Sequence, residues 1–270
     1  MSPVVDRVGL GRALTAALSD DGPEAALAVC RACVTWLPMT GASITVMDGA
    51  QGQEPVCATD PGAARIDELQ FSLGEGPCVE AFSSGRAVLV PDIAEPGEGR
   101  WPMFTAAAVE TGARGMFVFP LRAGASRLGV LDCYRDTPGH LDDTELAGAL
   151  LAADAAMWAL LDRLDHRAGE AGRSPSPWYD GSALARAEVH QATGMLMAQA
   201  GTAAPTALAA LRAAAFLGDR GITEIAADVV ARRLRLDPDG SWHVSSNGAA
   251  ASAEPPHQRG DDEREGREDP

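Results

Sequence analysis

Apolar positions along this chain change period several times. In residues 4–18 and 23–37 they recur every three or four positions. The second segment places Leu27, Cys30, Val34 and Leu37 on one side and Pro23 in a first turn, so two amphipathic helices are predicted. Residues 43–47, 55–59, 87–90, 116–121 and 128–134 then read as five strands punctuated by Gly, Pro and Asp, with a helix over 101–111. Such strands, with helices to cover one face, predict an antiparallel α+β sandwich. Helical period returns over 144–167, where Leu146, Leu150, Ala153, Met157, Leu160 and Leu164 form a heptad seam of about two and a half repeats. That seam suits either a dimer contact or packing on the sheet.

Residues 168–181 are rich in Gly, Ser and Pro and read as a linker. Beyond it, Val189, Ala192, Leu196 and Ala200 line one face of a helix that Gly201 ends. Thr202 is the expected N-cap of a second helix, with Pro205 in its first turn and Leu208, Leu211 and Ala215 on its buried side. Gly218 and Gly221 bracket the next turn. Thr223 is the expected cap of a third helix with Ile222, Ala226, Val229 and Val230 inside. Three short alanine-rich helices predict a compact bundle over 182–236. Residues 237–270 are polar, charged and aperiodic, and disorder is expected there.

At 270 residues the chain has room for roughly two domains. Its net charge of −16 argues against a general nucleic-acid binder. The charge is uneven: residues 182–236 carry six Arg against four Asp and Glu, a net of +2, whereas residues 1–181 carry −12 and 237–270 carry −6. Lysine is absent, so every cationic side chain of this group is a guanidinium. Five cysteines without disulfide-like spacing point to a reducing cytoplasm, and no signal-peptide pattern opens the chain. The most membrane-like run, 146–161, is expected to be too short to span a bilayer and contains Asp154.

Particular motifs sharpen the picture. Gln191-Ala192-x-Gly194 followed by Met195-Leu196-Met197, then Ala207-x-x-x-Leu211-Arg212, then Ile225-Ala226-x-x-Val229-Val230, together resemble an ANTAR domain. This is the three-helix RNA-binding module of bacterial transcription antiterminators. One departure is Thr193, where the family usually has lysine. Residues 41–161 resemble the GAF domain found upstream of ANTAR domains in actinobacteria. The likeness runs through LGEGPC at 73–78, VPDI at 90–93, RWPMF at 100–104, and FPL and LGVLDCY between 119 and 134.

The two resemblances imply an organisation: N-terminal helices (1–40) packed on a GAF sensor (41–143), a connecting or dimerisation helix (144–167), a linker (168–181), an all-α three-helix ANTAR bundle (182–236) and an acidic tail (237–270). They also imply a non-enzymatic, cytoplasmic homodimer without cofactor or membrane attachment, in which a small-molecule or protein effector acts on the sensor. The bundle would bind hairpins in nascent transcripts and oppose termination. Arg186, His190, Gln191 and Thr193 on the first helix and Arg212 on the second are the expected RNA-contacting groups, with Ala192 and Gly194 small enough for close backbone approach. Packing between helices is the competing explanation for Ala192 and Gly194. Cys78, Trp101, Phe104, Asp132 and Cys133 are the candidate effector pocket, and equally a candidate core.

Two other readings stay open: a bundle that contacts protein rather than RNA, and a cysteine-dependent reductase of free methionine sulfoxide using Cys78 with Cys57 and Cys133. Cys78 would start a short helix, where the dipole lowers a thiol pKa. Cys30-Arg31-Ala32-Cys33 has no second pair to complete a metal set and lies on an apolar stripe. The cyclic-nucleotide signature of some GAF domains needs a lysine that this chain lacks.

Overall fold

A computed structural model describes residues 5–19, 24–48, 52–95, 99–167 and 180–244. Five antiparallel strands form the central sheet: β1 (Gly41–Asp48), β2 (Gly52–Ala58), β3 (Val88–Val90), β4 (Gly115–Ala123) and β5 (Ser126–Arg135), in the order β2-β1-β5-β4-β3. The strands are buried on both faces, because helices cover both rather than the single face expected. Ala42, Ile44, Phe117, Phe119, Leu131 and Cys133 face α1 (Arg7–Ser19), α2 (Ala25–Trp36) and α6 (Asp143–Arg167). Alternate residues Met47, Met116, Val118, Val130 and Tyr134 face α3 (Pro61–Leu73), α4 (Pro77–Ser84) and α5 (Pro102–Glu110). A bulge between Ile44 and Thr45 in the β1–β2 pairing lets both Val56 and Cys57 reach the first of these cores.

Helix α6 starts in a reciprocal cap: Asp142 accepts from the Thr144 and Glu145 amides, and Glu145 accepts from the Asp142 amide. By length and composition it is apolar enough to cross a membrane, contrary to the shorter run expected, and half of that apolar window is buried in the fold. Most of the heptad seam faces this chain's own sheet. Ala153 and Leu160 are buried, and Leu146 and Met157 pack against the same core. Leu150 instead lies 48% exposed beside Leu151 and Trp158 on the opposite face.

The C-terminal unit contains α7 (Asp180–Ala200), α8 (Ala204–Leu217) and α9 (Ile222–Val230). Gly201 ends α7 with φ of 64°, as the sequence led one to expect. The caps differ from expectation. Ala203 precedes α8 without a side-chain cap, and Gly221, not Thr223, opens α9, its amide donating to Glu224 at 3.0 Å. A short hairpin follows, β6 (Leu234–Leu236) with β7 (Trp242–Val244), across a turn containing Gly240 at φ 87°. Ordered structure thus extends past residue 236, and α7 already begins at Asp180 inside the expected linker; the rest of the linker and tail, residues 168–179 and 245–270, lies outside the described residues.

Candidate functional site

Helix α3 joins the two parts of the molecule. Asp60 caps it, accepting from the Gly62 and Ala63 amides at 2.8 and 3.0 Å, with Pro61 in the first turn. Gly74 ends it at φ 68°, and its amide donates to the Gln70 carbonyl. A Cβ at Gly74 would lie 2.6 Å from the Arg212 guanidinium, so glycine here serves both the left-handed turn and the approach of α8. Ala63, Ile66 and Leu69 pack on the sheet side, while Phe71 belongs to the core of the C-terminal bundle.

The sheet side of α3 carries a buried polar chain. Gln70 donates from Nε2 to Asp132 at 2.6 Å, and its Oε1 accepts from the Cys78 amide at 2.7 Å. Thr45 donates to Asp67 Oδ1 at 2.6 Å. Burial pushes the Asp132 carboxyl up to about 7; the Gln70 hydrogen bond opposes that shift and the charge of Asp67 adds to it.

A carboxyl whose folded pKa exceeds its unfolded one holds its proton more tightly in the folded state. Its stabilising contribution is therefore complete below about pH 4, the unfolded value, and is lost as pH rises through about 7. Asp132→Asn should flatten the fall in Tm between those limits and leave the variant the more stable protein above pH 7. An unchanged slope in melts across that range would refute the assignment.

The other side of α3 meets the bundle. The Arg186 side chain is 3% exposed; its Nη2 lies 2.9 Å from Asp67 and 3.2 Å from Glu68, its Nη1 donates to the Gln53 carbonyl, and its guanidinium stacks 4.4 Å from the Phe71 ring centroid. His190 meets the same ring edge-on at 6.1 Å. Burial lowers its pKa, helped by the charge of Arg186. Arg212 donates from Nη2 to the Phe71 carbonyl at 2.6 Å, and its buried Nε finds no partner among the described residues. Desolvation brings the Arg212 guanidinium down to about 10.

These positions revise the expected RNA face. Arg186, His190 and Thr193 do share one side of α7, but that side looks toward the sheet domain, and Arg186 and Thr193 are buried. Thr193 donates back to the Val189 carbonyl, and Ala192 is core. Of the expected contacts on α7, His190, Gln191 and Gly194 are exposed, and nothing stands within 4 Å of a Cβ built on Gly194. Exposed Arg232, Arg233 and Arg235 just beyond α9 supply further positive charge; Arg233 pairs with Asp228 and Arg235 with Asp237.

The expected effector pocket is rearranged as well. Cys78, Trp101 and Phe104 are buried in one core. Cys133 belongs to the core on the opposite face, because consecutive strand residues point opposite ways, so it cannot share a space with Asp132. Cys57 lies on that same far face, so the sheet separates Cys78 from both other thiols of the proposed trio. Burial pushes the Cys78 thiol well up, and this outweighs the helix start that was expected to lower it.

Cys30 and Cys57 lie 3.6 Å apart, and Cys33 and Cys133 share the same core, so the C-x-x-C faces two sheet thiols. Among the described residues no group suited to hold a metal ion is found. All five thiols are buried, and an aqueous disulfide reagent should therefore leave them unmodified until denaturant is added. Rapid labelling of the native protein would contradict this packing.

The GAF domain family model matches residues 20–160. Similar solved structures include free methionine-R-sulfoxide reductase from Neisseria meningitidis, at 15% identity over 59% of this chain and 90% of that one, TM-score 0.41. The GAF domain of a phosphoenolpyruvate-protein phosphotransferase from Coxiella burnetii matches at 16% identity over 60% and 97%, TM-score 0.45. The corresponding Acinetobacter domain matches at 10% over 63% and 99%, TM-score 0.44. No curated protein matches the chain.

Proposed function

This chain belongs to the GAF domain family, and from that premise we propose a cytoplasmic, non-enzymatic regulator whose sensor domain governs RNA binding by the ANTAR-like bundle α7–α9. One observation carries the reading: the inner arginines of a net-positive helical unit, Arg186 and Arg212, both end on the sensor helix α3. A sensor and a cationic binding unit that share a helix can influence each other's equilibria. An effector of the sensor, small molecule or protein, acts by binding one arrangement better than another. RNA hairpins of nascent transcripts are the proposed partners, and antitermination the proposed outcome. Gln191 and Gly194 offer an open approach on α7, and the purified protein should bind tandem hairpin RNA with an affinity that falls steeply with salt. Equal affinity for a scrambled single strand would argue against it.

Dimerisation brings two bundles to one transcript and raises affinity through effective concentration. The exposed stripe Leu150, Leu151 and Trp158 of α6 is the proposed contact. Light scattering should give a dimer at micromolar concentration and a monomer for Leu151→Asp/Trp158→Asp; a monomeric wild type removes this element. A second reading, in which the bundle acts through protein contacts, is favoured by the carboxylate surface that already satisfies Arg186. Crosslinking in cells separates the two, since it recovers RNA in one case and only protein in the other.

A further inference from the structure

Resting on the RNA reading above, we propose that α3 is an internal competitor for RNA: Asp67, Glu68 and the Phe71 carbonyl occupy the Arg186 and Arg212 guanidiniums where transcript phosphates would sit. The sensor domain thereby holds the bundle closed, and RNA and α3 exclude one another. Two carboxylates converging on Arg186 at 2.9 and 3.2 Å present it with the anionic oxygens that a phosphate would supply. Arg212 is held less completely, by one carbonyl at 2.6 Å with its Nε unpartnered, so a multi-oxygen anion satisfies it better than α3 does.

The seam is built to part. Phe71 and the two arginines hold its middle, while cavities of about 300 and 590 Å³ flank them. The first is lined by Gln53, Pro55, Arg186 and His190; the second by Leu69, Met103, Arg212 and Phe216. Gln53 is 1% exposed, and both polar atoms of its amide lack a hydrogen-bond partner among the described residues. A buried, unsatisfied amide opposes closure and gains water when the seam opens. Helix α3 also carries Gln70 to Asp132 and Cys78, so a disturbance inside the sensor reaches the residues that hold the arginines.

The test measures binding of tandem hairpin RNA by the full chain as wild type, Glu68→Ala and Asp67→Asn/Glu68→Ala, with hydrogen–deuterium exchange across α3 and α7. Glu68→Ala leaves the Thr45–Asp67 bond in place, which guards against an unfolded double variant. The expected result is a Kd about tenfold lower for either variant, with faster exchange in α7. Unchanged or weaker RNA binding by variants whose α7 has opened overturns the competition and leaves the RNA reading standing. If wild type and variants alike fail to bind RNA, that reading falls and the competition with it.

Discussion

Replacing Arg186 with alanine is expected to cost about 3–5 kcal/mol of stability and to separate unfolding of the bundle from that of the sensor domain. The guanidinium is the cation between Asp67 and Glu68, and its side chain, like that of Asp67, is only 3% exposed. Removing it leaves a buried carboxylate without its counter-charge. The molecule can escape that cost by undocking α7 from α3, which is why two transitions rather than one lowered transition are anticipated. Asp67→Asn/Arg186→Met should lose less than Arg186→Ala, because a neutral pair strands no charge. Calorimetry and denaturant titration of the full chain check this; a wild-type midpoint in Arg186→Ala would show that the buried ion cluster contributes nothing.

Phe71→Ala should be comparably damaging, at about 3–5 kcal/mol. The ring is fully buried, and although it belongs to α3 it packs with Val189, Leu196, Leu208, Leu211 and Val229 of the bundle. It is also the surface on which Arg186 and Arg212 lie, at 4.4 and 5.9 Å from its centroid. Truncation opens a cavity and removes that surface at once, whereas Phe71→Leu keeps most of the apolar volume. The expected order of stability is wild type, then Leu, then Ala, with the loss concentrated in the bundle. A Phe71→Ala protein whose bundle still melts with the sensor at the wild-type temperature would contradict the packing.

The strands and the N-terminal helices were legible because alternating or three-to-four spacing of apolar residues follows directly from which side of each element is buried. Helix α3 was not foreseen, although Asp60-Pro61 and Gly74 mark both its ends. Its interior holds Asp67 and Gln70, buried polar residues that interrupt an apolar stripe, and it packs against the sheet on one side and the bundle on the other. Amphipathic spacing fails for a helix covered on two sides.

The fate of Arg186 and Arg212 was hidden for a related reason. An arginine in a helix is expected at the surface, and their partners lie 119 and 141 residues away. Cys78, Trp101 and Phe104 were read as equally suited to pocket or core, and all three lie buried in one apolar core. Asp132 and Cys133 are separated by strand alternation, a signal already present in the sequence.

The most direct test of the account is the distance between sensor and bundle when RNA is added. Ser83→Cys on α4 and Ala213→Cys on α8 are exposed positions, and all five native thiols are buried, so paired spin labels should enter only these sites. Pulsed electron resonance should give a single distance for the free protein and a longer, broader distribution once tandem hairpin RNA saturates it. A distribution that RNA binding leaves unchanged would contradict the claim that α3 and the transcript compete for the same arginines.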